Sequence, residues 1–222
     1  MYIEKTSMIN KTVLLLDIDE TIFDTNRYKE ELSSRLSVEL GYQSPEEFFS
    51  LFKELLELTV VKRLYFDPVF FLEAAYATRK QDTTLERLDE IFWDKSLFEN
   101  KLYPDVINTL ESLSHKEDLV LGILSTGDRR HQGEKIGSIR HFFDESNINI
   151  FPDKIAVLEE ILKKYETFRV VVIDDRTEIL ERIKLLNSSV KTILMCRGEK
   201  ASDQDSFDRI FTDLHDILSL IN

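Results

Sequence analysis

Four apolar runs, Thr12–Leu16, Leu119–Leu124, Arg169–Ile173 and Val190–Cys196, punctuate the chain. They are rich in Leu, Ile and Val and do not alternate with polar residues, so they predict strands buried on both faces. Ile148–Phe151 is a shorter, fifth candidate. Helical spacing fills most of the gaps. Ile155, Ala156, Val157 and Leu158 with Ile161 and Leu162 precede Arg169, and Ile179, Leu180, Ile183 and Leu186 precede Val190. Strand–helix–strand alternation predicts an α/β fold, a Rossmann-like three-layer core with a parallel sheet covered on both faces.

Residues 25–100 follow a different pattern, with helix signals and no convincing strand. Asn26 to Leu40 reads as one helix. Ser44-Pro45-Glu46-Glu47 is a capping box with proline at the first helical position. Asp67-Pro68 starts a third helix running into Val69–Tyr76, and Leu85, Leu88, Ile91 and Phe92 mark the apolar face of a fourth. A direct strand–helix–strand crossover needs far fewer residues. The expected organisation is therefore an α/β core from residues 1–24 and 101–222, with an all-helical cap domain at 25–100. Tyr103-Pro104 would open the helix returning to the core.

Composition narrows the partners. A net charge of −13 argues against wrapping nucleic acid or coating an anionic membrane, and the longest basic run is only Arg129-Arg130. Cys196 is the sole cysteine, so no intrachain disulfide forms, which fits a cytoplasmic setting. Met1 to Lys11 mixes polar and charged residues without the apolar segment of a signal peptide or membrane span. Oligomeric state is not legible in any of these patterns.

Chemistry concentrates where the predicted strands end. Asp17 and Asp19 follow the first strand, Ser125 follows the second, and Asp174 and Asp175 follow Val170–Ile173. Lys154 lies between the last two, near a helix start. Like charges about 4 Å apart repel by roughly 4 kcal/mol at an effective dielectric of about 20. Carboxylates placed at the mouth of a buried sheet therefore point to use: an Asp nucleophile, a second Asp as acid and base, and a metal to hold the charges together. In an open α/β sheet this edge is where ligands bind. Each residue also has a structural use, since Asp17 and Asp19 can form turns and Asp174 and Asp175 can begin a helix. Thr21 is expected to tie the first loop by hydrogen bonding. His115, His131, His141 and His215 lack metal-ligand spacing and read as surface or core residues.

These motifs in this order resemble the haloacid dehalogenase-like (HAD) hydrolase superfamily. Asp17-Ile18-Asp19-Glu20-Thr21 is similar to its first motif, Leu124-Ser125-Thr126-Gly127 to its second and Ile173-Asp174-Asp175-Arg176 to the double-Asp form of its fourth. Lys154 is the candidate for the third, with Lys135 as a rival. The helical insertion sits where the family places its type-1 cap. The resemblance implies a phosphatase in which Asp17 attacks phosphorus to form an aspartyl-phosphate. Asp19 would then serve as acid and base, and Ser125, Thr126 and Lys154 would bind the phosphate. It also implies Mg²⁺ held by Asp17, Asp19, Asp174 and Asp175, with Glu178 in support and Asp19 contributing its main-chain carbonyl. The chain departs from the family in three places: Glu20 stands where Gly is frequent, Ile155 where Pro is frequent after the lysine, and Ile179 where Asn or Asp is frequent. The implied substrate is a small phosphorylated metabolite. The rival readings are a phosphomutase on the same scaffold and a non-catalytic binding or regulatory protein. Arg27, Lys29 and Arg63 are the insertion's cations that could face a substrate.

Overall fold

In the computed structural model, which describes residues 11–63, 65–198 and 207–221, the apolar runs form a parallel sheet. The elements in chain order are β1 (Thr12–Leu16), α1 (Thr25–Glu39), α2 (Pro45–Arg63), α3 (Pro68–Ala77), α4 (Leu85–Phe92), α5 (Val106–Ser114), β2 (Leu119–Thr126), α6 (Arg129–Lys135), β3 (Ile148–Phe151), α7 (Lys154–Lys164), β4 (Arg169–Asp174), α8 (Thr177–Leu186), β5 (Lys191–Met195) and β6 (Arg209–Phe211). Short 3₁₀ turns link several of them. The strand order is β3-β2-β1-β4-β5-β6, and every pairing is parallel. Strand β6 was not anticipated, because three residues carry no readable pattern. Most of the polar stretch Met1–Lys11 lies outside the described residues, as do residues 199–206 of the expected core.

The pleat explains how one apolar run serves two layers. Val13 and Leu15 point into a cluster with Leu158 and Ile161 of α7 and Ile179 and Ile183 of α8. Leu14 and Leu16 point into the opposite cluster, with Leu110 of α5. All four strand residues are fully buried, each worth roughly 1.5–3 kcal/mol relative to exposure. Covered faces on both sides make the α/β, Rossmann-like architecture.

Helices α1 to α4 form where the capping signals stand. Asp24 caps α1, accepting from the Arg27 amide at 2.9 Å. The capping box closes with a shift: Ser44 accepts from Glu47 N at 3.3 Å, while the Glu47 carboxylate reaches Gln43 N at 3.0 Å, one residue before the box predicts. Asp67 caps α3 through the amides of Val69 and Phe70. Helix α5 starts at Val106, two residues beyond Pro104. Asp105 gives it no side-chain cap because its carboxylate pairs with Arg197 at 2.7 Å. The buried residues of α1–α4, including Leu32, Phe52, Phe71 and Phe92, share one apolar cluster with Leu14 and Leu16 of the sheet. The chain leaves for these helices and returns side by side: Asp24 N donates to Lys101 O at 2.7 Å, and Tyr103 N to Ile22 O at 3.1 Å.

Candidate active site

Register places the acidic residues. Leu16 pairs with Ile123 of β2 on one side and Ile173 of β4 on the other. One residue further on, Asp17 and Asp174 therefore stand level at the C-terminal rim. The Asp17 amide donates to Ile173 O at 2.9 Å, which anchors the loop. The chain progresses outward from β1 to β3 and then restarts on the other side with β4. The crevice at that switch is the natural ligand site of such a sheet.

Lys154 reaches this crevice from the first turn of α7. Asp153 caps that helix, accepting from Ile155 N at 2.9 Å. The Lys154 ammonium lies 2.6 Å from Asp17 and 2.5 Å from Asp174, and all three side chains are essentially excluded from solvent. Burial works against the ammonium's charge, but the two carboxylates outweigh it and hold the lysine protonated above its usual range. Burial likewise favours the neutral form of Asp174, and the Asp17 charge adds to this; Lys154 and the Arg176 amide pull the other way. Asp175, at the mouth, is pushed up to about 8 by burial and then by Asp17 and Asp174.

Asp17, Asp174 and Asp175 present carboxylate oxygens within 4.8 Å of one another. Lys154 answers the first two. The Asp175 carboxylate has neither a hydrogen-bond donor nor an ion-pair partner among the described residues. An oxygen-only donor set with one uncompensated carboxylate fits a hard divalent cation such as Mg²⁺. The Asp19 carboxylate is not part of this cluster. Of the expected metal residues, the structure brings together Asp17, Asp174 and Asp175, and leaves Asp19 only the main-chain carbonyl route. Glu178 pairs with Arg176 instead.

Asp19 has its own surroundings. Its carboxylate accepts from Lys135 at 2.5 Å, from Gln132 Nε2 at 2.7 Å and from the Thr25 hydroxyl. Burial would raise its affinity for a proton, but Lys135, Gln132 and Thr25 together hold it far below the usual carboxylate range. Helix α6 aligns Gln132 and Lys135 with the site, with Asp128 capping it through His131 N at 2.8 Å. Gln132 also donates to Thr126 O at 2.6 Å and lies 3.3 Å from the buried Ser125 Oγ. Both lysines weighed for the third position thus line the site, Lys154 against Asp17 and Lys135 against Asp19. Gln132 and Thr25 are not among the residues that the sequence singles out. Their only signal is three-residue spacing between Gln132 and Lys135 on one helix face, which is too common to single out.

Other residues take structural places. Glu20 adopts φ 51°, the left-handed region that glycine enters freely, so the departure from Gly falls where backbone strain arises. Its carboxylate accepts from Asn26 N at 2.9 Å and the Tyr103 hydroxyl at 2.8 Å. Thr21 ties the loop through its carbonyl, not its hydroxyl. Arg197 donates to Thr21 O at 2.8 and 3.0 Å, while Thr21 Oγ1 is buried without a partner among the described residues. Ile179 is fully buried behind the site. His131 is buried against Tyr28, whose hydroxyl lies 3.0 Å from Nε2. Arg27 bonds Asn100 O, and Arg63 sits by Asp67 at 3.6 Å. Of the three insertion cations, Lys29 alone lines the cleft, a cavity of about 570 Å³ that also takes in Asp17, Asp19, Ser125, Lys154 and Asp175.

Comparison with known proteins agrees with this architecture. The model of the haloacid dehalogenase-like hydrolase family matches residues 14–178. No curated protein sequence matches significantly. Among solved structures, a candidate haloacid dehalogenase-like hydrolase of Burkholderia xenovorans superposes with a TM-score of 0.75 at 23% identity, covering 95% of this chain and 96% of that one. A candidate β-phosphoglucomutase of Thermotoga maritima gives 0.64 at 16% identity over 95% and 98%. A candidate HAD-hydrolase of Bacillus subtilis bound to magnesium gives 0.65 at 14% over 96% and 99%. Dehalogenases are similar at the same level. At these identities the structures speak for the fold, whereas the family model spans most of the chain, including the strand ends that carry Asp17, Ser125 and Asp174: the protein belongs to the haloacid dehalogenase-like hydrolase family.

Proposed function

We propose that the protein is a magnesium-dependent phosphomonoester hydrolase that cleaves a small phosphorylated metabolite through an aspartyl-phosphate on Asp17. The observation that carries this reading is the second carboxylate, Asp19, which lines the same cleft and is oriented there by Lys135, Gln132 and Thr25. A halide leaves carbon as a stable anion and needs no proton. An alkoxide leaving phosphorus does, and a carboxylic acid beside it supplies one.

An Asp17 oxygen forms a bond to phosphorus as the ester P–O bond breaks, and Asp19 gives its proton to the departing oxygen. Water then attacks phosphorus, Asp19 takes the water's proton, and the bond from phosphorus to Asp17 breaks. Lys135 holds Asp19 as an anion, the state suited to the second half; the negative phosphoryl group of a bound substrate raises its proton affinity for the first. Lys154 pairs with Asp17 at 2.6 Å, and Ser125 and Thr126 donate to phosphoryl oxygens. Asp17, Asp174 and Asp175 would hold Mg²⁺, whose charge offsets that of the carboxylates and the phosphate.

The test is phosphate release by the purified chain from a panel of phosphomonoesters. Release with Mg²⁺ that stops in chelator is expected. A folded protein inert across the panel overturns the reading, and isomerised sugar phosphate without free phosphate replaces it with a mutase.

A further inference from the structure

The cleft has two chemically distinct walls. The rim of the sheet supplies the carboxylates, Ser125 and Lys154. The facing wall, from α1, α2 and the segment after α2, supplies Leu32, Phe52, Leu56, Val60, Tyr65 and Phe66. Its remaining polar groups are mostly engaged: the Thr25 hydroxyl with Asp19, and the Tyr28 hydroxyl with His131. Lys29 and the Tyr65 hydroxyl are the exceptions among the described residues, and Lys29 carries the charge. This lysine has no hydrogen-bond or ion-pair partner among the described residues, and it lines both this cavity and an adjoining one of about 420 Å³.

We infer that the substrate is the phosphomonoester of a ring-bearing, largely apolar alcohol carrying one anionic group, with the ring against Leu56, Val60 and Phe66 and the anion at Lys29. The inference rests on the phosphatase reading and specifies its substrate. A sugar body would bring several hydroxyls against this wall, where most would lose water without gaining a partner, which is unfavourable. An aromatic ring meets Tyr65 and Phe66 edge or face on, as aromatic side chains meet each other. A cavity of about 570 Å³ accommodates a phosphate and one ring system. A single unpaired ammonium beside an apolar wall suits one anionic substituent better than a polyol.

The experiment compares kcat/KM of the full-length protein with Mg²⁺ for 2-phenylethyl phosphate, its ring-carboxylated analogue and glucose 6-phosphate. All three are esters of primary alcohols, so leaving-group reactivity is matched. The expected order is carboxylated ring, plain ring, sugar, with at least about tenfold between ring and sugar. Leu56→Asn and Val60→Asn, at partly exposed positions, should each shrink the ring-to-sugar ratio by about tenfold, mainly through KM. Lys29→Ala should erase the advantage of the carboxylate and leave the ring-to-sugar ratio standing. Turnover that favours glucose 6-phosphate, or a ratio unmoved in folded Leu56 and Val60 variants, overturns the inference while leaving the phosphatase reading intact. No turnover of any ester overturns both.

Discussion

The Lys154 ammonium sits 2.6 Å from the Asp17 carboxylate, although the two residues are 137 positions apart and both are buried. Together with the 2.5 Å contact to Asp174, this makes one lysine the counter-charge for two carboxylates at the heart of the sheet.

Lys154→Met should therefore harm both stability and chemistry. Removing one member of a buried ion pair leaves an uncompensated charge and costs about 3–5 kcal/mol. Urea unfolding should report a loss of that order, partly recovered when Mg²⁺ is added and binds the native state. Phosphate release should fall by about 10²-fold or more. A variant as stable and active as the parent would falsify this assignment of Lys154.

Asp19→Asn keeps the shape of the side chain but removes the proton shuttle. Loss of general acid catalysis typically costs about 10²–10⁴-fold. The loss should be larger for alkyl phosphates, whose leaving group needs the proton, than for nitrophenyl phosphate, whose leaving group does not. Equal losses on both would count against Asp19 as the acid.

Lys135 holds Asp19 at 2.5 Å without touching the carboxylate cluster of Asp17, Asp174 and Asp175. Lys135→Met should lower kcat by roughly 10²-fold, as expected of a misplaced catalytic group, with a smaller change in KM. Beryllofluoride, a mimic of the aspartyl-phosphate, should still bind the variant in the presence of Mg²⁺. Lost binding would assign Lys135 to the phosphate instead.

His131 makes stability depend on pH. Burial lowers its proton affinity well below the ordinary value, the nearby Lys135 charge adds to this, and Asp19 opposes it more weakly. The folded protein keeps the ring neutral, while the unfolded chain binds a proton below about pH 6.5. The unfolded state thus carries more protons there, so this contribution is fully present above about pH 6.5 and is lost as pH falls toward the folded value, by up to about 1.4 kcal/mol per pH unit. Urea midpoints between pH 7.5 and 5 should show the decline for this protein and a shallower one for His131→Gln. Parallel curves would refute it.

The strands were legible because a strand buried on both faces must be apolar throughout. The observed β1 and β3 match their runs residue for residue, and β2 and β4 extend beyond theirs into Ser125, Thr126 and Asp174, where polar residues take up the site. Strand β6 escaped notice because a three-residue edge strand is defined by its partner, β5, rather than by its own pattern. The Asp19 cradle escaped for a related reason. Gln132 and Thr25 are ordinary polar residues of helix first turns and faces, Lys135 stands out only as a rival to Lys154, and their convergence on Asp19 is what distinguishes them.

Apolar periodicity and strand-end carboxylates, both local properties of the chain, determined the parallel sheet and the rim where its chemistry gathers. What lay beyond local reach is pairing across space: which lysine neutralises which aspartate, that Asp175 makes no ion pair among the described residues, and that the wall facing the rim is apolar around Lys29. Those outcomes depend on the register between strands and on where helices α1, α2, α6 and α7 dock, and so on distances set by packing rather than by any neighbouring residue.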